Sequence, residues 1–276
     1  MKKHIYTLFL LVFVAIFCFG CGAEQADGEN VETNAFRLCR TVSDSGEISM
    51  SYAFPVNSHV ILESGLSEKD VKTYRFYLAN YVNALAKQYK EKIVDGVKVS
   101  GCVYFEDVDG LGFTIEFESL DEQKRFFGVD SEDESGPTSS SKVSGFFVKK
   151  VEVEMDFPFS AKSAENMKSI CQLAIQAWCQ DGSIDASVEK GMLQALDNSL
   201  FVYDFATTDE SLQAEKQYVA GDFVHSFFEK SLNEIEDGER ISFWVTTPNT
   251  PLWYISALVF VGAGMVGGYF CKRKKN

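Results

Sequence analysis

The chain has 276 residues, with 40 Asp and Glu against 26 Lys and Arg, a formal net charge of −14 and 46% hydrophobic residues. That length holds one large or two small domains. The acidity weighs against a nucleic-acid-binding surface, which needs clustered cations. All 40 acids lie within residues 22–250 and six of the basic residues lie outside, leaving 20 cations there against 40 anions. An anionic membrane surface would repel that region.

Met1-Lys2-Lys3-His4 precedes an apolar run that ends in Phe19-Gly20-Cys21-Gly22. A basic start, an apolar stretch and small residues make a secretory signal, so residues 1–21 are expected to be a signal peptide. Phe19-Gly20-Cys21-Gly22 resembles the lipobox of bacterial lipoproteins, which implies lipidation at Cys21. Where that family has leucine and a small residue, three and two positions before the cysteine, this chain has Cys18 and Phe19. Ordinary cleavage near Ala23 or Ala26 and an uncleaved anchor are the competing readings. The chain contains no Asn-x-Ser/Thr acceptor, which agrees with a bacterial surface protein. Residues 22–33 are polar and acidic, a flexible spacer.

Residues 34–247 are expected to form an extracytoplasmic α+β domain, antiparallel sheets packed with helices. Residues 36–42 read as a strand, Asp44-Ser45-Gly46 as a turn, and 47–54 alternates as a half-buried strand, so the pair is a hairpin. Ser67 caps a long helix with Glu68 and Asp70 in its first turn. Val71, Tyr74, Leu78, Val82 and Leu85 then recur at helical spacing, and Tyr74, Tyr77, Tyr81 and Tyr89 read as a packed face rather than a ligand stripe. Strands are predicted over 97–105 and 113–117. The acidic turn Glu106-Asp107-Val108-Asp109-Gly110 between them lacks the later glutamate of a calcium loop. Ser119 and Glu122 form a capping box for a short helix.

Residues 130–142, DSEDESGPTSSSK, read as a linker or a long exposed loop that splits the domain into halves. Beyond it come a strand over 146–159, a helix over 164–178 capped by Ser163, and a short helix over 188–196. Strands follow at 200–205 and 241–245, with no defined pattern across 209–239.

Four cysteines fall in this region. Cys39 and Cys102 are the expected disulfide. Cys171 and Cys179 are eight residues apart in one predicted helix, about 12 Å, beyond the ~7 Å a disulfide tolerates unless the helix ends between them. Unpaired buried thiols are the alternative. The three histidines are His4, His59 and His225. No nucleophile, metal or phosphate-loop motif accompanies them, so no catalytic residue, metal ligand or cofactor is assigned. His225 with Asp222, or His59, is the acid–base candidate for a hydrolase, and the 40 acids leave a carboxylate pair for sugar hydrolysis open.

Residues 252–271, LWYISALVFVGAGMVGGYFC, carry no charge. As a helix they span roughly 30 Å, the hydrocarbon thickness of a bilayer. Lys272, Arg273, Lys274 and Lys275 follow as a stop-transfer signal, which predicts a transmembrane helix with a cytoplasmic tail at 272–276 and the domain outside. Gly264 and Gly268 make a G-x-x-x-G pair, which reads first as the glycine common in membrane helices and second as a face for helix self-association. Thr247-Pro248-Asn249-Thr250-Pro251 resembles the L-P-x-T-G wall-sorting signal of sortase substrates, with Thr247 for its leucine and Pro251 for its glycine.

The stretch from Tyr203 through His225 to Pro248-Asn249 and Trp253-Tyr254 resembles uncharacterised membrane-anchored lipoproteins of Gram-positive bacteria. The outer region is similar to the lipoprotein domain named after LppM. The resemblance implies a place at the cell membrane and brings no active site. The expected function is a surface module that binds a protein or envelope partner, with an extracytoplasmic hydrolase as the alternative.

Overall fold

The computed structural model describes residues 34–92, 95–127, 138–142, 148–182, 184–209, 212–236 and 238–248. No helix among the described residues is long and apolar enough to cross a membrane. The expected signal at 1–21, Cys21, the span at 252–271, Gly264 and Gly268 and the four terminal cations lie outside the described residues.

The predicted hairpin is present. β1 (Ala35–Val42) pairs antiparallel with β2 (Ile48–Pro55). The turn closes with the Gly46 amide donating to the Ser43 carbonyl at 2.9 Å, and Gly46 takes a φ of 85° that suits glycine. A six-residue helix, α1 (Ser58–Glu63), follows; it is too short to leave a periodic signature. Next come α2 (Glu68–Lys90), β3 (Val97–Val99), β4 (Val103–Phe105) and β5 (Gly110–Phe117). Ser67 starts α2 as predicted, its amide donating to Asp70 Oδ2 at 2.8 Å and its hydroxyl at 2.6 Å. Those bonds hold the Asp70 carboxyl below its usual range. α3 (Leu120–Phe127) begins after Ser119, whose Oγ accepts from the Glu122 amide at 3.4 Å.

The later elements are β6 (Thr138–Lys142), β7 (Val148–Asp156), α4 (Ala161–Gly182), α5 (Ala186–Asp197), β8 (Leu200–Thr207), β9 (Leu212–Gln213), β10 (Gln217–Ala220), β11 (Phe223–Ser231) and β12 (Arg240–Pro248). Three expectations change here. The stretch read as loop through residue 142 ends in a strand, β6, paired with β7. The cap of α4 is Ser160, three residues earlier than Ser163: the Ser163 amide donates to Ser160 Oγ at 3.1 Å and the Ser160 amide to Ser163 Oγ at 2.9 Å. The segment 209–239, which shows no pattern in sequence, holds the β10–β11 hairpin around Gly221, whose φ is 61°.

Two sheets result. The larger runs β10-β11-β8-β1-β2-β5-β3, with β4 also on β5; the smaller runs β6-β7-β12-β9. The larger is mixed rather than antiparallel, because β8 returns beside β1 in the same direction. A parallel neighbour needs a long crossover, and α4 and α5 lie on that path. This pairing also joins the two sequence halves: strands from either side of 130–142 share one sheet.

Even-numbered residues of β1 face the helices. Phe36, Phe54, Phe113 and Phe201 are each at most 1% exposed, and each contributes about 1.5–3 kcal/mol by leaving water. α2 and α4 cover this face and touch through Tyr74 and Trp178, with ring centroids 5.3 Å apart. The small sheet is joined to the large one by Phe243, whose ring meets Phe205 at 5.3 Å and Phe228 at 5.0 Å.

The acidic turn before β5 has a structural task. Asp109, at a φ of 43°, accepts from the Ser58 amide and hydroxyl at 2.7 Å each and from the Tyr104 hydroxyl at 2.8 Å, with Arg75 at 3.5 Å. Its carboxylate is thereby committed to the start of α1. Burial, then Asp109, pushes the Tyr104 phenol up to about 12. Asp109→Ala strands three donors and puts an ordinary residue in left-handed backbone, so it is expected to cost about 2–3 kcal/mol. Chemical denaturation against Asp107→Ala, which changes an exposed neighbour, checks this; equal midpoints for the two variants would remove that role.

Candidate functional site

Pleating sends alternate residues of the large sheet to opposite faces. On the face turned away from the helices, β1 presents Arg37, Cys39 and Thr41. The register sets Cys39 beside Asp204 in β8, and β11 brings His225 opposite Ala206. β10 adds Tyr218 opposite His225. The result is a polar cluster centred on Asp204, which is only 2% exposed.

Its geometry is tight. His225 Nδ1 lies 3.0 and 3.2 Å from the two Asp204 oxygens. The Tyr218 hydroxyl donates to Oδ2 at 3.2 Å, and Arg37 lies 3.7 Å from the same oxygen. The Tyr218 ring stacks on the imidazole at 4.6 Å. The Cys39 thiol completes the group and shares a weak bond of 3.9 Å with the Thr41 hydroxyl. Burial, then the Asp204 charge, pushes that thiol up to about 12. At neutral pH it is a thiol, not the thiolate that nucleophilic chemistry requires.

The histidine of the hydrolase alternative therefore has a carboxylate partner, but it is Asp204 rather than Asp222, which lies exposed beside the Gly221 turn. His59 is exposed on α1. Sequence reasoning misses Asp204 and Tyr218. The signal that finds them is the pair Gly221-Asp222 between two strand-like runs, a two-residue hairpin loop. It sets Tyr218 against His225, but the Asp204 neighbour needs tertiary pairing.

All four described cysteines are free. The expected Cys39–Cys102 bridge is not formed. β2 and β5 stand between β1 and the strands that flank Cys102, and at about 4.8 Å per strand the separation far exceeds disulfide reach. α4 continues through Cys179 to Gly182, so Cys171 and Cys179 stay apart on one helix.

The helix-side face holds a different feature, a cavity of about 820 Å³. Leu38, Met50, Tyr52 and Phe205 of the large sheet form its floor. Met167 and Ile170 of α4, Leu120 and Phe127 of α3, and Val153, Met155 and Phe243 of the small sheet also line it. Tyr89 of α2 also lines it; its ring packs 5.6 Å from Phe113 and 6.0 Å from Phe126. Three charged side chains, Arg40, Lys124 and Asp156, also line this apolar space, and Asp156 lies 3.6 Å from Arg240 Nε. Arg40 donates to Gln123 Oε1 at 2.8 Å, while its Nε is buried without a partner. Among the described residues no carboxylate lies within ion-pair distance of it. It sits beside the Tyr203 phenol, which burial pushes up to about 12 against the opposing pull of Arg40.

No family model matches this chain, and no curated protein matches it. Among solved structures it is similar to the folded domain of LppM from Mycobacterium tuberculosis, determined by NMR. The identity is 11% and the TM-score 0.23, over 80% of this chain and 94% of that one.

Proposed function

We propose that this protein is a membrane-anchored surface module that binds an amphipathic ligand, with the apolar chain in the cavity and an acidic head on Arg40. The observation that carries the reading is the Arg40 guanidinium, which has no ion-pair partner among the described residues, at the wall of a mainly apolar cavity. A volume of about 820 Å³ lies in the ordinary range for ligand pockets, about 300–1,000 Å³. Burying an alkyl chain there gains about 0.8 kcal/mol per methylene. A carboxylate or phosphate would supply the charge partner that Arg40 lacks, in a guanidinium geometry suited to it. The signal-like start, the lipobox-like Cys21 and the apolar segment at 252–271 support placement at the membrane surface, where such ligands are found. The hydrolase reading is weaker, because the His225–Asp204 pair lies on the other face of the sheet from the cavity.

The test uses the full chain in detergent and displacement of a fluorescent long-chain fatty acid by palmitate or by hexadecanol. Wild type is expected to bind one probe per chain, saturably. Arg40→Gln should weaken palmitate about tenfold, the loss of one charge-assisted contact, and change hexadecanol by less than about threefold. Ile170→Trp, which fills the cavity, should weaken both. Absence of saturable displacement, or equal losses for the two competitors in Arg40→Gln, would overturn the reading.

A further inference from the structure

Cys39, Asp204 and His225 lie on three adjacent strands, β1, β8 and β11, and their donor atoms all fall within 4.8 Å of one another. Among the described residues no other group of Cys, His, Asp and Glu side chains converges this closely with mixed ligand types. We propose that Cys39, Asp204 and His225 form a Zn²⁺ site, with the fourth position open to water or an exogenous ligand.

Three features support it. The first is size. Zn²⁺ binds nitrogen and oxygen at about 2.0–2.2 Å and sulfur at about 2.3 Å, so tetrahedral ligand atoms sit roughly 3.3–3.6 Å apart. The 3.0 Å between His225 Nδ1 and Asp204 Oδ1 has to open slightly and the thiol to close in, both within side-chain rotation. The second is ligand chemistry. One thiolate, one imidazole and one carboxylate make a mixed sulfur, nitrogen and oxygen set that suits zinc better than Ca²⁺ or Mg²⁺, which take oxygen ligands.

The third is the surrounding shell. Tyr218 and Arg37 both engage Asp204 Oδ2, which orients the carboxylate and leaves Oδ1 turned toward His225 and the ion. Partners that hold a ligating carboxylate this way tune metal sites. The Tyr218 ring, stacked on the imidazole at 4.6 Å, fixes the ring plane. Arg37 also repels a cation, but zinc binding turns Cys39 into a second anion beside it. Metal binding releases one proton. Zn²⁺ displaces the Cys39 thiol proton to solvent, and binding through Nδ1 puts the imidazole proton on Nε2.

The test uses the untagged full chain in detergent with Co²⁺ as probe. One Co²⁺ per chain is expected, with a thiolate-to-cobalt charge-transfer band that one equivalent of Zn²⁺ bleaches. Cys39→Ser, nearly isosteric, should abolish the band, and His225→Gln should weaken Co²⁺ at least tenfold. Cys102→Ser should leave both unchanged. Circular dichroism of each variant reports its folding independently of metal. A folded wild type without the band, or a band that survives Cys39→Ser, overturns the site. Should His225→Gln fail to fold, the Cys39→Ser result decides alone. The fatty-acid measurement reads the opposite face of the sheet, so either proposal can fail without the other.

Discussion

Trp178→Ala is expected to cost about 3–5 kcal/mol, the range for removing a large buried aromatic side chain. Trp178 is 1% exposed and meets Tyr74 where α4 crosses α2. The same contact is extended at the surface by the Tyr77 hydroxyl, which donates to Asp181 at 3.0 Å. Neighbouring α4 residues Ala174 and Ile175 are also buried, so the helix has little freedom to collapse into the void. Since domains of this size are stable by only about 5–15 kcal/mol, the variant should unfold at far lower denaturant. Trp178→Phe keeps much of the ring and should lose roughly half as much. A Trp178→Ala midpoint within about 1 kcal/mol of wild type would mean that α2 and α4 do not pack through this residue.

Gly112→Ala is expected to be of similar size, about 3 kcal/mol or more, for the opposite reason. Gly112 lies in β5 between Ala53 of β2 and Val103 of β4. A Cβ there would fall far inside contact with the Tyr52 carbonyl oxygen and 2.8 Å from Phe105 Cε2. Neither neighbour can yield cheaply. The carbonyl belongs to a backbone paired on both sides, and the Phe105 ring lies across the position where the side chain is missing. Overpacking of this kind costs about 1–3 kcal/mol when the neighbours move, and more when they are backbone. Hydrogen exchange should show the loss first in β2, β4 and β5. Gly101→Ala, where a Cβ meets nothing within 4 Å, is the control. Equal protection in both variants would show that β5 accommodates the methyl group.

Much of the fold is legible in the residue pattern. The alternation of Ile48, Met50, Tyr52 and Phe54 and the helical spacing of Val71, Tyr74, Leu78 and Val82 are one-dimensional consequences of burying one face. Ser67 and Ser119 mark helix starts because their hydroxyls satisfy amides that the helix leaves bare. Ser163 misleads because Ser160, three residues earlier, offers the same chemistry and the helix takes the earlier cap. The segment 209–239 is opaque because β9 and β10 have only two and four residues, and β11, though nine residues long, reads FVHSFFEKS without a clean alternation.

The candidate sites are less legible. Cys39 and His225 stand out as residue types, but sequence reasoning sends the first to a disulfide and the second to the wrong carboxylate. Arg40 reads as one more cation in a strand, and nothing local distinguishes it from Arg37, three residues earlier. Pleating sends Arg37 to Asp204 and Arg40 to the cavity.

Residue order alone set the α+β character, most helix and strand positions and the acidity of residues 22–250. It also carries the apolar segments at 1–21 and 252–271, on which the membrane expectation rests. These are local or additive properties, set by period, capping and charge count. Long-range packing decided that β8 lies parallel to β1, that strands from 34–127 and 138–248 share a sheet, and that Asp204 sits between Cys39 and His225. Pairing across some 165 positions is chosen by the whole core at once. Loop-closure entropy grows only slowly with chain length, so no local stretch records which distant strand will be its neighbour.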